Sequence, residues 1–184
     1  MSKMSKNIKM GKKELFDDKR SVKSIYSRTM ISKKVCLSIN NVGKNIKEVL
    51  EESIRGSYDG KCLDEGYVKP SSSSIITYSS PIVQGSNIIF EVMFECQVCY
   101  PVEGQLINCI AKNISKVGIK GESSQESPSP FVVFISRDHE ISNRLFTEIK
   151  EGDIFIARII GQRFELNDKY VSVIAEIVDK TRYK

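Results

Sequence analysis

Between Ile88 and Pro101 the chain reads IIFEVMFECQVCYP, and Ile88, Phe90, Val92, Phe94, Cys96, Val98 and Tyr100 fall at every second position. Successive side chains of an extended backbone point to opposite faces, so this period of two predicts one long, half-buried strand. Pro101 ends it. The segment VEGQLINCIAKNISKVGIKG follows, with Gly104 near its start and Gly118 further on, a pattern that suits a strand pair opening a small β-barrel. Two β-rich units are therefore expected to meet at a hinge at Pro101.

Upstream of the long strand, Ser32 to Ile39 sets Val35, Leu37 and Ile39 against Lys34, Cys36 and Ser38, which reads as a strand. Asn40 or Asn41 is placed to cap a helix on which Val42, Ile46, Val49, Leu50 and Ile54 share a face. Glu51 and Arg55 stand at the supportive i, i+4 spacing, and Gly56 is the expected stop. The glycine-punctuated stretch YDGKCLDEGYVKP predicts a short hairpin, and IITY a short strand after the serine run Ser71 to Ser74. A turn near Gln84-Gly85-Ser86 then leads into the long strand. The first unit is thus one helix laid on a small antiparallel sheet.

Beyond Pro101 the order changes. Strands are predicted over about Gln105 to Asn113, Val117 to Gly121, Phe131 to Ser136, Ile154 to Ile160 and Val171 to Val178. The loop SSQESPSP, from Ser123 to Pro130, separates the second from the third and excludes regular structure by its prolines and serines. Ile141, Leu145, Phe146 and Ile149 make a short helix between the third and fourth, and Asn167-Asp168 turns the last two into a hairpin. Five strands with a helix after the third is the layout of an OB-fold barrel, which chiefly binds single-stranded nucleic acid. The expected class is α+β followed by all-β.

At 184 residues the chain fits one domain or two small ones. No apolar run approaches the roughly 18 residues that span a bilayer, and no apolar segment follows the N-terminal lysines as in a signal peptide. That predicts neither secretion nor a membrane partner. The formal charge of +5 sits in residues 1–24, where Lys3, Lys6, Lys9, Lys12, Lys13, Lys19, Arg20 and Lys23 face only Glu14, Asp17 and Asp18. With little to bury, this tail is expected to be disordered. It serves either electrostatic contact with nucleic acid or an acidic surface, or plain solubility.

The five cysteines, Cys36, Cys62, Cys96, Cys99 and Cys109, lack the spacing of a disulfide framework, which favours a reducing compartment. Cys96 and Cys99 form C-x-x-C, yet three residues apart on a strand the thiols point to opposite faces and cannot share one tetrahedral ion. No metal or cofactor is expected. Asn113-Ile114-Ser115 matches a glycosylation triplet by letter only.

Catalytic patterns are sparse. His139 is the single histidine, and Arg137-Asp138-His139 reads better as a strand-end turn than as an acid/base trio. The run GSYDGK at Gly56 to Lys61 is one residue short of a phosphate-binding loop, with Cys62 where the magnesium-binding hydroxyl belongs. An enzyme is not expected.

The order of helix, DGKCLDEGYV, a long strand ending in CQVCYPVEGQLINCIAKNISKVGIKG, and GDIFIARIIGQRFELNDKYVSVIAEIV resembles the stalk subunit of multisubunit DNA-directed RNA polymerases. That family includes the seventh subunit of eukaryotic polymerase II and its archaeal counterpart. The resemblance covers roughly Ile31 to Val178 and is carried by Gly60, Lys61, Gly66 and Tyr67 with Pro101, Gly104 and Gly118. It implies a ribonucleoprotein-like tip domain at 25–100, docking on the polymerase core beside the clamp, and an OB-fold domain at 101–184 that contacts nascent single-stranded RNA. Gly60, Lys61, Cys62, Gly66 and Tyr67 would lie in the docking loops. Partners would be the largest polymerase subunits, a small core subunit near the clamp and a smaller stalk partner.

The basic tail, the Ser/Pro loop and the compact hairpin at Arg163 to Asp168 look like versions encoded by large cytoplasmic DNA viruses. That implies host cytoplasm or virion, against the nucleus for a cellular member. On the barrel, Lys112, Lys116, Lys120, Arg137, Arg158 and Arg163 are candidate phosphate contacts, with Phe134, Phe164 and Tyr170 to stack on bases. Phe131 and Phe134 fit core positions as well. The rival from another class is a free-standing RNA-binding module of translation or RNA decay.

Overall fold

The computed structural model describes residues 24–43, 45–139 and 144–180. The basic tail through Lys23 and Ile141, expected to open the short helix, lie outside the described residues, as does the side chain of His139.

The expected long strand is the centre of the first sheet. It runs Asn87–Cys99 (β6), 13 residues with Ile88, Phe90, Val92, Phe94, Cys96 and Val98 buried on one face. β1 (Tyr26–Ser38) pairs antiparallel along its whole length, from Tyr26 opposite Cys99 to Ser38 opposite Asn87. The other edge of β6 is covered in relay by three short strands: β3 (Gly66–Val68), β4 (Ser74–Tyr78) and β5 (Ile82–Gln84). β2 (Cys62–Leu63) closes a hairpin with β3, completing a six-stranded sheet.

Helix α1 (Ile46–Tyr58) lies on the inner face, where Leu50 and Ile54 join a core with Ile31, Val35, Phe90, Val92 and Phe94. Tyr58 stacks on Phe94 with ring centroids 5.9 Å apart. Burying a side chain as large as Phe94 contributes roughly 1.5–3 kcal/mol. This core makes the helix stable, since 13 residues alone are marginal in water.

The largest differences from the sequence reading lie in the first unit. β1 starts at Tyr26 rather than Ser32, because residues 26–31 pair with 94–99 although their side chains do not alternate cleanly in polarity. The helix starts at Ile46, after a 3-10 turn at Ile39–Asn41 and an extended Val42. It also runs through Gly56 instead of stopping there. The Lys61 ammonium donates to the carbonyls of Ser57 (2.9 Å) and Gly56 (3.4 Å), supplying the partners that a helix C-terminus lacks.

The second unit is a closed barrel of β7 (Leu106–Ile114), β8 (Gly118–Ser123), β9 (Phe131–Ser136), β10 (Ile154–Arg163) and β11 (Val171–Lys180), with α2 (Arg144–Glu148) after the third strand. Around the wall the order is β10-β11-β9-β8-β7 and back to β10, with β9 and β11 parallel. This is an OB-like barrel. Its interior holds Ile107, Cys109, Ile119, Phe131, Val133, Phe155, Val171 and Val173, while α2 contributes the buried Phe146. Gly118 is demanded by close packing: a Cβ there would stand 2.2 Å from the Ile135 carbonyl oxygen.

The two units are joined by backbone hydrogen bonds and a shared core as well as by the chain itself. Pro101 is buried. The Cys62 amide donates to the Asp168 carbonyl (2.8 Å) and the Asn167 amide to the Cys62 carbonyl (2.9 Å), so β2 is bonded to the β10–β11 loop. Cys62, Tyr67 and Cys99, all from the first sheet, belong to the barrel core. Gly66, at φ +119°, lets this hairpin come close, since a Cβ there would lie 2.6 Å from the Cys99 carbonyl oxygen. These buried contacts join the two units on either side of Pro101, where they were expected to meet.

Candidate nucleic-acid interface

A barrel strand that buries alternate residues must present the others outward, and this barrel turns cations, acids and apolar groups to solvent. Lys120 on β8 stands opposite Phe134 on β9, and Phe134 beside Ile174 on β11. Phe134 and Ile174 are 39% and 49% exposed, so Phe134 lies on the outer wall, whereas Phe131 is in the core.

One row along, Glu122 faces Val132. Residues 123–129 and the Lys169-Tyr170 pair line an open groove of about 630 Å³ over β7, β8 and β9. Lys112, Lys120 and Tyr170 line it, joined by Lys169, which is not among the residues nominated from the sequence. No motif marks Lys169; only the closing of β9 on β11 brings it beside the Ser/Pro loop.

Other candidates are placed elsewhere or engaged. Arg158 bonds Glu176 at 2.9 Å on the β10–β11 wall. Arg163 bonds Glu165 at 3.0 Å, and Arg137 lies over the Phe146 ring at 5.2 Å. Lys116 is exposed in the β7–β8 loop, near Arg137, whose amide donates to the Val117 carbonyl. Phe164 is not a free stacking platform. It packs edge-on against Tyr100, centroids 5.9 Å apart, and is half-buried against the barrel core.

The expected docking turn is the β2–β3 hairpin with its approach. Gly60, at φ +74°, and Lys61 are half-buried there. Cys62, Gly66 and Tyr67 are buried, so the side chains of Cys62 and Tyr67 join sheet to barrel instead of facing outward. What the turn shows to solvent is Asp64, with Glu65 half-buried, both about 3.8 Å from the Lys33 ammonium.

The C-x-x-C pair is split between two cores: Cys96 belongs to the sheet and Cys99 to the barrel. Burial pushes the Cys96 thiol up to about 11 and those of Cys62 and Cys99 to about 12. At neutral pH these groups are thiols, neither nucleophiles nor ready metal ligands. Among the described residues no three of His, Cys, Asp and Glu come together as metal ligands.

Comparison with known proteins finds a distant viral relative. The chain is 27% identical over 167 residues to a protein of Acanthamoeba polyphaga mimivirus bearing the name "Putative DNA-directed RNA polymerase subunit". The match covers 85% of this chain and 83% of that protein. No family model matches.

Proposed function

We propose that this protein is a non-catalytic subunit of a DNA-directed RNA polymerase, of the stalk type, from a large DNA virus. The observation that carries this reading is the similarity to the mimivirus protein. At 85% of the chain it must extend over both sheet and barrel, since neither unit alone is that long. In this reading residues 25–100 form the tip domain that docks on the polymerase core, through the turn around Gly60 to Tyr67. Residues 101–184 hold the OB-like barrel toward nascent RNA. The firmly joined seam suits such a role, because a stalk that presents RNA at a fixed place must not swivel on its anchor.

The partners are then the largest polymerase subunits, a small core subunit by the clamp and a smaller stalk partner. The compartment is the host cytoplasm or the virion. Affinity purification of the tagged full chain from its native source, with partners identified by mass, tests the reading. Copurification of the large polymerase subunits, lost when Asp64 and Glu65 are replaced by lysine, is the expected result. Recovery of RNA without any polymerase subunit would replace it with a free-standing RNA-binding module.

A further inference from the structure

We propose that the groove lined by segment 123–129 and Tyr170 is a track for the phosphodiester backbone of a single nucleic-acid strand, with Lys120 and Lys169 on phosphates and Tyr170 stacked on a base. The inference rests on the reading of the barrel as the RNA-facing unit, and narrows it from a whole barrel surface to one concave site.

Charge favours this site over the β10–β11 wall. Five charged side chains line the groove, Lys112, Lys120, Lys169, Glu122 and Glu126. The two acids are already engaged: Glu122 lies 3.7 Å from Lys112, and Glu126 lies 3.0 Å from Lys69, which reaches across from the first unit. Lys120 and Lys169 make no ion pair with any described residue, which leaves two uncompensated cations facing one cleft. The arginines on β10 differ in that each already bonds a glutamate.

Shape selects a strand rather than a compact anion. The groove is open and, at about 630 Å³, far larger than a compact anion fills; segment 123–129, which lines it, is held at both ends: the Ser123 amide donates to the Ser129 hydroxyl, which itself donates to the Phe131 carbonyl. Tyr170, 44% exposed, offers an aromatic face that any base can use, the arrangement expected for binding without sequence preference. An acidic peptide would use the lysines equally well but would gain little from that ring.

Binding of a fluorescent oligouridine of about twelve nucleotides, within the span of one OB barrel, is measured against salt for the full chain. The panel comprises wild type, a Lys120→Ala/Lys169→Ala double variant, Tyr170→Ala, and Lys34→Ala on the exposed sheet face as control. The double variant should weaken binding and lower the slope of log K against log salt by about 1.4, from about 0.7 per lost phosphate contact. Tyr170→Ala should weaken binding about tenfold with the slope unchanged. An oligodeoxythymidine arm should follow the same pattern, because these contacts do not involve the ribose hydroxyl.

Wild-type affinity and slope in the double variant would overturn the groove while leaving RNA binding elsewhere on the barrel. Failure of the wild-type protein to bind either strand would overturn both the groove and the RNA-facing barrel. Loss of polymerase copurification with groove-dependent binding intact would sink the stalk assignment alone. All three lysines are exposed, so an unchanged melting temperature should accompany each substitution.

Discussion

Lys69 and Glu126 meet at 3.0 Å across the seam between sheet and barrel, and the same ammonium lies 4.7 Å above the ring of Tyr26 at the start of β1. One cation therefore ties three segments far apart in sequence: the first strand, the link after β3 and the Ser/Pro loop. Both partners are about one-third exposed, so the ion pair itself is worth about 0.5–1 kcal/mol, and the cation–π contact adds a similar amount. Lys69→Met should lower stability in urea by about 1–2 kcal/mol and Glu126→Gln by about half as much. Equal effects of the two would mean that the Tyr26 contact contributes nothing.

Two glycines should respond in opposite directions to the same substitution. Gly118→Ala forces a methyl group against the Ile135 carbonyl where β8 meets β9; a loss of more than about 2 kcal/mol is expected, in the range of overpacked cores. Gly56 sits inside α1 with open space around the position of a Cβ. Gly56→Ala should stabilise the protein by about 0.5–1 kcal/mol, through helix propensity and a less flexible unfolded chain. Denaturant melts of the two variants side by side check both signs.

Much of this architecture is legible in the residues. The period of two in β6, the breaks at Gly60, Gly66 and Gly104, and the proline- and serine-rich gap before β9 each leave a local mark, because backbone geometry and local polarity decide them. The strand Phe131 to Ser136 has the same bounds in both readings. What the sequence conceals is set by distant partners. β1 extends back to Tyr26 only because β6 offers unpaired backbone there, and the Cys62 and Tyr67 side chains are buried only because the β10–β11 loop folds over their hairpin. The candidate site divides the same way: lysine and tyrosine types could be nominated, whereas the grouping of Lys112, Lys120, Lys169 and Tyr170 depends on barrel closure.

Phe164 separates structure from binding. Its ring meets Tyr100 edge-on and rests against the barrel core, so Phe164→Ala should remove about 2–3 kcal/mol of stability, part from apolar burial and about 0.5–1.5 kcal/mol from the aromatic pair. Oligouridine affinity measured well below the melting temperature should stay within about twofold of wild type. A large fall in affinity without a fall in stability would restore Phe164 as a base-stacking residue.

The buried thiols set how the fold responds to alkali. Cys62, Cys96 and Cys99 are each at most 1% exposed, and burial, the largest cause, raises them to between about 11 and 12 from an ordinary value of 9.0. Below pH 9 both folded and unfolded chains hold these protons, so the thiols add no pH dependence. As pH rises past 9 the unfolded chain releases them while the folded one does not. The unfolded state then binds fewer protons, and stability falls by up to about 1.4 kcal/mol per pH unit for each thiol until the folded groups titrate as well. Cys36, on the outer face of β1, is the exposed exception. A disulfide reagent at pH 7.5 should therefore modify one thiol per native chain and all five cysteines of the sequence in denaturant. Urea melts between pH 8 and pH 10.5 should show the decline for wild type, and a shallower one for Cys62→Ala. Rapid modification of more than one thiol in the native chain would mean that the seam holding Cys62 and Cys99 opens on the timescale of the reaction.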